Sequence, residues 1–221
     1  MPDATSSTGT VPLAEIAFMW FASRFALLIT GVLSSYLLAS GLSLQTGNLV
    51  FHEPTVRALE IWARWDAEWY LLIAAEGYDS SDHFERFAVP YERAATAGFL
   101  PLYPLMIRTL APVFGGVGAG VLISNLALLG ALVLLYRLAA AEARPGAERA
   151  TGLAACAALL VYPSSLFLSA VYAESLFLLL SLATFAAARR GSFAAAGLTG
   201  GLAALTRPFG VMLVLPLLWE W

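Results

Sequence analysis

Long apolar runs alternate with one extended polar interlude, and this alternation predicts the elements. The first run, from about Ile16 to Leu42, exceeds the roughly 20 residues a helix needs to cross a bilayer. Gly120–Ala140, Thr151–Val171, Ser175–Ala188 and Phe193–Trp221 are further apolar runs, the second of them interrupted near its end by Tyr162-Pro163-Ser164-Ser165. Phe99–Phe114 is also apolar, but Pro101, Pro104, Pro112 and Arg108 predict a helix lying on or dipping into the membrane interface. Between the first and second runs, residues 43–98 hold nine of the 15 acids and both histidines. Within that stretch, Trp62, Trp65, Trp69, Leu72 and Ile73 recur at helical spacing and predict a helix over Val56–Glu76. The pattern predicts an all-α, multi-pass transmembrane helical bundle: one domain over 1–221 with about five spanning helices.

Composition agrees with the pattern. The chain is 60% hydrophobic and 12% charged, with a mean hydropathy of +0.77. Soluble domains average about 45–50% apolar and about 25% charged residues. The net charge of −3 and the absence of a basic cluster leave nucleic acid without support as a partner. All 12 basic residues are arginine, which with the abundant alanine points softly to a GC-rich bacterial genome and so to a bacterial inner membrane rather than the endoplasmic reticulum. Met1–Pro12 carries no basic residue, and the following run is too long for a signal-peptide core, so a retained helix is expected. Cys156 is the single cysteine and forms no internal disulfide.

Arginines set the expected orientation. Arg137, Arg144 and Arg149 flank one short connection and Arg189-Arg190 another, which places both in the cytoplasm. Alternation then puts the N-terminus inside, and a long extracytoplasmic loop at about 43–117, with its amphipathic interfacial helices, and the Tyr162–Glu174 corner outside. The chain end at Trp219-Glu220-Trp221, without a polar tail, is expected to be a truncation. No P-loop, dinucleotide-binding, HExxH or CxxC motif is present, so metal, nucleotide and redox chemistry have no motif behind them, and no cofactor is expected. His52 and His83 share no ligand spacing and read as surface or packing residues.

The candidate chemistry centres on Arg64-Trp65-Asp66-Ala67-Glu68-Trp69-Tyr70. Tryptophan favours the bilayer interface, and a carboxylate held among such rings is desolvated and fixed, as a general base requires. On a helical wheel Asp66 falls on the flank of the aromatic face, whereas Glu60, Arg64 and Glu68 form a solvated i,i+4 ladder. Arg24 either snorkels to headgroups or faces the bundle interior near a site. Arg207, in an apolar run before Pro208, lies about 25 Å beyond Arg190 at about 1.5 Å per residue, on the side of Asp66 and Glu174. Its guanidinium either snorkels or clamps a phosphate bidentately.

The same heptapeptide, continuing as Leu71-Leu72-Ile73-Ala74-Ala75-Glu76-Gly77-Tyr78, resembles the motif of GPI mannosyltransferase II-like (PIG-V) proteins. Phe99-Leu100-Pro101-Leu102-Tyr103-Pro104, the block Tyr162–Phe177 and Leu205-Thr206-Arg207-Pro208-Phe209-Gly210 resemble three more family blocks, in family order. The resemblance implies a GT-C-like glycosyltransferase fold and a polyprenyl-phosphate-linked sugar donor. It also implies a catalytic acid in the first extracytoplasmic loop, at Asp66, and a chain corresponding to the N-terminal part of a longer one. The implied reaction is inverting hexosyl or mannosyl transfer, with Asp66 deprotonating an acceptor hydroxyl and Arg207, helped by Arg64 or Arg108, neutralising the leaving phosphate. Glu174 either caps its helix, or orients a sugar hydroxyl or pairs with an arginine at the site. Trp65, Trp69, Tyr70 and Tyr103 complete the expected substrate-binding set, although Tyr103 and Tyr162, each next to proline, read first as interfacial anchors and only second as lining a sugar groove. The implied partners are the lipid-phosphate donor, membrane lipids and an acceptor glycan, lipid or protein. A transporter or flippase and a non-catalytic membrane scaffold are the rival readings.

Overall fold

The computed structural model describes residues 10–39, 59, 61–78, 96 and 98–220. Among these residues all regular structure is helical: α1 (Leu13–Ala39), α2 (Ala67–Glu76), α3 (Leu102–Phe114), α4 (Gly116–Ala141), α5 (Glu148–Val161), α6 (Glu174–Ala188), α7 (Phe193–Ala204) and α8 (Val214–Glu220). Two are long and apolar enough to cross a membrane, α1 over Leu13–Ser34 and α4 over Gly116–Ala141. The expected spans in the second half are shorter: α5, α6 and α7 rise only about 18–23 Å, against a hydrocarbon core about 30 Å thick.

Proline accounts for where α5 and the last run break, whereas α6 keeps nearly the bounds its apolar run predicts. A residue before proline avoids the helical region, and proline brings no N–H to the ladder. Tyr162 is accordingly extended before Pro163, and the chain continues as a 3₁₀ segment over Pro163–Leu168. Arg207 is extended before Pro208, and a second 3₁₀ segment follows over Pro208–Leu213. The run expected to be continuous from Phe193 to Trp221 is therefore α7, a break at Arg207, a 3₁₀ turn and α8. The helix expected over Val56–Glu76 is not continuous: Leu59 is helical, residues 61–66 form turns, and α2 starts at Ala67, after Trp65 takes the left-handed conformation at φ 54° that no helix passes through. Glu60, His52 and His83 lie outside the described residues.

Helix α4 is the central element, packing α3, α5 and α6 around its buried Ala127, Leu128, Ala131 and Leu132. Gly115 (φ 71°) reverses the chain between α3 and α4, a conformation an L side chain adopts only under strain. A Cβ on Gly120 would fall 2.6 Å from Cγ1 of Val171, so glycine lets the segment before α6 press against α4. Ion pairs Arg149–Glu15 and Arg189–Glu142 bring the start of α1 and the two arginine-bearing connections to one end of the bundle. At the other end, the Leu102 N–H donates to the Leu205 carbonyl (3.0 Å) and ties the start of α3 to the end of α7. The outer face of α1 leaves Phe18 (72%), Phe21 (62%) and Phe25 (52%) exposed, continued by Leu33 and Leu37. A soluble monomer rarely presents so large an apolar strip.

Candidate active site

The site grows from the turn before α2. The Trp62 carbonyl accepts the Val171 N–H at 2.9 Å, which docks residues 61–66 on the end of the 163–173 segment. Tyr172 Oη then donates to the Arg64 carbonyl (3.0 Å) and accepts the Asp66 N–H (3.1 Å), bridging the two residues that flank Trp65. A left-handed non-glycine residue costs about 1–2 kcal/mol and persists where its surroundings over-determine it. Asp66 follows at the start of α2, and its backbone carbonyl accepts the Trp69 N–H (3.1 Å). Its carboxylate makes no capping hydrogen bond and is exposed, which corrects the expectation of a desolvated acid pressed among rings on a continuous helix. Glu68, expected in a solvated ladder, is half-buried: burial raises its carboxyl above the usual range, with Arg64 opposing.

Glu174 opens α6 and pairs through Oε1 with Nη1 of Arg207, which the break before Pro208 delivers from the end of α7. The other Glu174 oxygen, Oε2, is buried without a hydrogen-bond partner. Leaving a buried acceptor unsatisfied costs about 1–3 kcal/mol, so a donor arriving there is favoured. Tyr70 is buried, edge-on to Phe99 (5.0 Å) and Tyr103 (5.1 Å). Burial lifts its phenol well above the ordinary range, the Glu174 charge adds to this, Arg207 opposes it and Asp66 adds again. One phenol thus lies within electrostatic reach of both acids and the arginine. The Tyr172 hydroxyl, raised by burial and by the Asp66 charge to about 12, remains protonated at physiological pH.

The other sequence candidates separate. Arg64 and Trp65 line a shallow cleft beside Asp66 together with Trp62, Leu166, Phe167 and Tyr172. The Trp65 ring is 67% exposed, tilted against Phe167 at 6.0 Å. Trp69 is half-buried and stacked on Phe99 at 6.0 Å. Arg108 is not brought to the cluster: its Nη2 donates to the Ala75 carbonyl (3.2 Å) at the far end of α2, about 13 Å along the helix from Asp66. Tyr103 neither anchors at an interface nor lines a groove; it is fully buried, and its hydroxyl donates to the Gly120 carbonyl (3.0 Å) beside Ser124 Oγ (2.7 Å). Tyr162 is exposed, as an anchor would be. Arg24 turns inward and is buried, its Nη1 donating at 2.9 Å to both the Ser165 carbonyl and Ser169 Oγ. Among the described residues, no group of three or more His, Cys, Asp or Glu side chains is placed to hold a metal ion.

Sequence reasoning passed over Tyr172 and the polar residues beneath it. Ser124 Oγ donates to the Tyr172 carbonyl (3.1 Å), and Ser169 Oγ donates to Asn125 Oδ1 (3.0 Å). The signal was present: Ser165, Ser169, Tyr172 and Ser175 punctuate an otherwise apolar corner, and a buried polar side chain needs a partner.

Fold and cluster define a class: an apolar helical bundle with two acids, an arginine and two tyrosines gathered at one end. The family model described as Mannosyltransferase (PIG-V) matches residues 22–217, and the chain belongs to that family, as a glycosyltransferase. All four motif blocks fall inside the matched range. No curated protein and no solved structure matches the chain.

Proposed function

We propose that this chain is a multi-pass, integral-membrane mannosyltransferase of GT-C type that transfers mannose, with inversion, from a polyprenyl-phosphate donor to an acceptor hydroxyl on the extracytoplasmic face. The observation that carries this reading is the placement of Asp66: a carboxylate free of capping duty, on a turn fixed from both sides, beside the Glu174–Arg207 pair. Asp66 removes the acceptor's proton as the acceptor oxygen bonds to the anomeric carbon. The bond from that carbon to the phosphate oxygen breaks, and the lipid phosphate departs with the electron pair. Arg207, already oriented by Glu174, meets the charge developing on the phosphate. The free Oε2 of Glu174 accepts a sugar hydroxyl, and exposed Trp65 offers an apolar face at the mouth of the cleft.

The lipid-facing strip on α1 supports the membrane setting, and the two arginine-bearing connections at the end opposite Asp66 support an outward site. Cysteines introduced at Ala147 and Tyr162 in a Cys156→Ala background are expected to react with an impermeant maleimide from opposite sides of the membrane. Labelling of position 162 only from the cytoplasmic side would place the site on the wrong face. The function itself is tested by incubating membranes containing the full-length protein with polyprenyl-phosphate mannose labelled in the sugar. Transfer to an acceptor, with equivalent sugar nucleotide inert, is the expected result. Transbilayer movement of the lipid-linked sugar without transfer would instead support the transporter reading.

A further inference from the structure

We propose that Tyr172 is a positioning residue for Asp66, its hydroxyl holding the Arg64–Asp66 turn in the left-handed shape that presents the carboxylate to substrate. The inference rests on the reading of Asp66 as the base and adds the device that aims it. Tyr172 belongs to the segment that enters α6, more than a hundred residues away in sequence, yet its hydroxyl uses both donor and acceptor capacity on this one turn. The two bonds fall on the carbonyl before Trp65 and the N–H after it, so together they fix the peptide units that define the residue between them.

Trp65 is the only non-glycine residue at positive φ among the described residues, and its bulk gives it no local reason to be there. The surroundings that over-determine it come from one side. Val171, the residue before Tyr172, bonds the Trp62 carbonyl at 2.9 Å, and Phe167 meets the Trp65 ring. The Tyr172 ring is itself fixed by Phe167 (5.2 Å), and its carbonyl by Ser124 of α4. A path of contacts therefore runs from the central helix through Ser124 and Tyr172 to the turn that starts α2. The hydroxyl works only as a protonated phenol, since the Arg64 carbonyl requires a donor. Its raised ionisation range keeps it so across physiological pH.

Tyr172→Phe keeps the ring and removes both hydrogen bonds. Without them the turn is free to relax, and the carboxylate spends less time in reach of the acceptor oxygen. A general base must lie within hydrogen-bond reach of the proton it removes, and small misplacements of a reacting group can cost about 10²-fold. The expected result is a kcat lowered about 10- to 100-fold with the donor KM within about twofold of wild type, in protein that accumulates and elutes as wild type does. A kcat within twofold of wild type overturns the proposal. So does equal damage to kcat and KM, or a variant that fails to accumulate, because the hydroxyl then serves the fold rather than Asp66. Asp66→Asn, measured alongside, separates the two readings. If Asp66→Asn retains transfer, the assignment of the base is wrong. If Asp66→Asn is inactive while Tyr172→Phe has normal kcat, the base stands and its positioning by Tyr172 falls.

Discussion

Asp66→Asn is expected to lower mannosyl transfer by about 10²–10⁴-fold, the range typical for loss of a general base. The amide keeps the carboxylate's shape, and no capping bond of the native side chain is broken, so folding and membrane insertion are expected to be unchanged. The comparator is Glu68→Gln, two residues on, a half-buried carboxylate whose charge Arg64 offsets. Burial raises the Glu68 carboxyl, so its ionised form is less favoured in the folded protein than in the unfolded chain. A raised folded-state pKa contributes stability below the unfolded value and loses it as pH rises through the folded one. At neutral pH, then, Glu68→Gln is expected to leave thermal stability unchanged or slightly higher, with transfer reduced less than about fivefold. Transfer rates per mole of folded protein for the two variants decide the matter. An inactive Glu68→Gln beside an active Asp66→Asn would move the base to Glu68.

The sequence predicted where helices run better than which way they face. Apolar runs marked α1, α4 and α6 to within a few residues, because hydrophobic length survives any arrangement of neighbours. Those helices are apolar nearly all round, so no stripe marks an inner side. Arg24 shows the consequence: at the sequence level it could snorkel or turn inward, and only the arrival of Ser165 and Ser169 from the far corner decides for inward. The breaks at Tyr162-Pro163 and Arg207-Pro208 were visible as prolines. Their result, two 3₁₀ segments that shorten the neighbouring helices, depends on how the chain packs afterwards.

The site was legible as a motif and illegible as geometry. A helical wheel puts Asp66 beside the aromatic face only if the helix runs unbroken through Trp65, and the left-handed turn there has no local sequence signal. The turn is imposed by Tyr172, which lies in another motif block and reads locally as one more aromatic residue in an apolar corner. Glu174 and Arg207 likewise meet only in three dimensions, one at a helix start and one at a helix break. Arg108 and Tyr103 carried plausible chemistry in the sequence, and packing assigned both to structural duty, at the end of α2 and between α3 and α4.

Arg207→Lys separates charge from shape at the phosphate position. Lysine keeps the positive charge and can still meet Glu174, so expression and thermal stability are expected to stay near wild type. What it lacks is the planar fork: with one guanidinium nitrogen committed to Glu174, arginine still has N–H donors for a phosphate oxygen, whereas a point ammonium must choose between the two anions. Hydrogen bonds to charged groups contribute about 1.5–3 kcal/mol, which at about 1.4 kcal/mol per factor of ten corresponds to roughly a 10- to 100-fold loss in kcat/KM for the lipid-phosphate donor. Arg207→Met removes the charge as well and leaves Glu174 part-buried without a partner, so it is expected to lower stability in addition to donor use. The informative contrast is donor kinetics against melting temperature for the two variants. If Arg207→Lys uses the donor as wild type does, the guanidinium serves only to neutralise Glu174, and the phosphate is met by another group, with Arg64 at the cleft the first to replace.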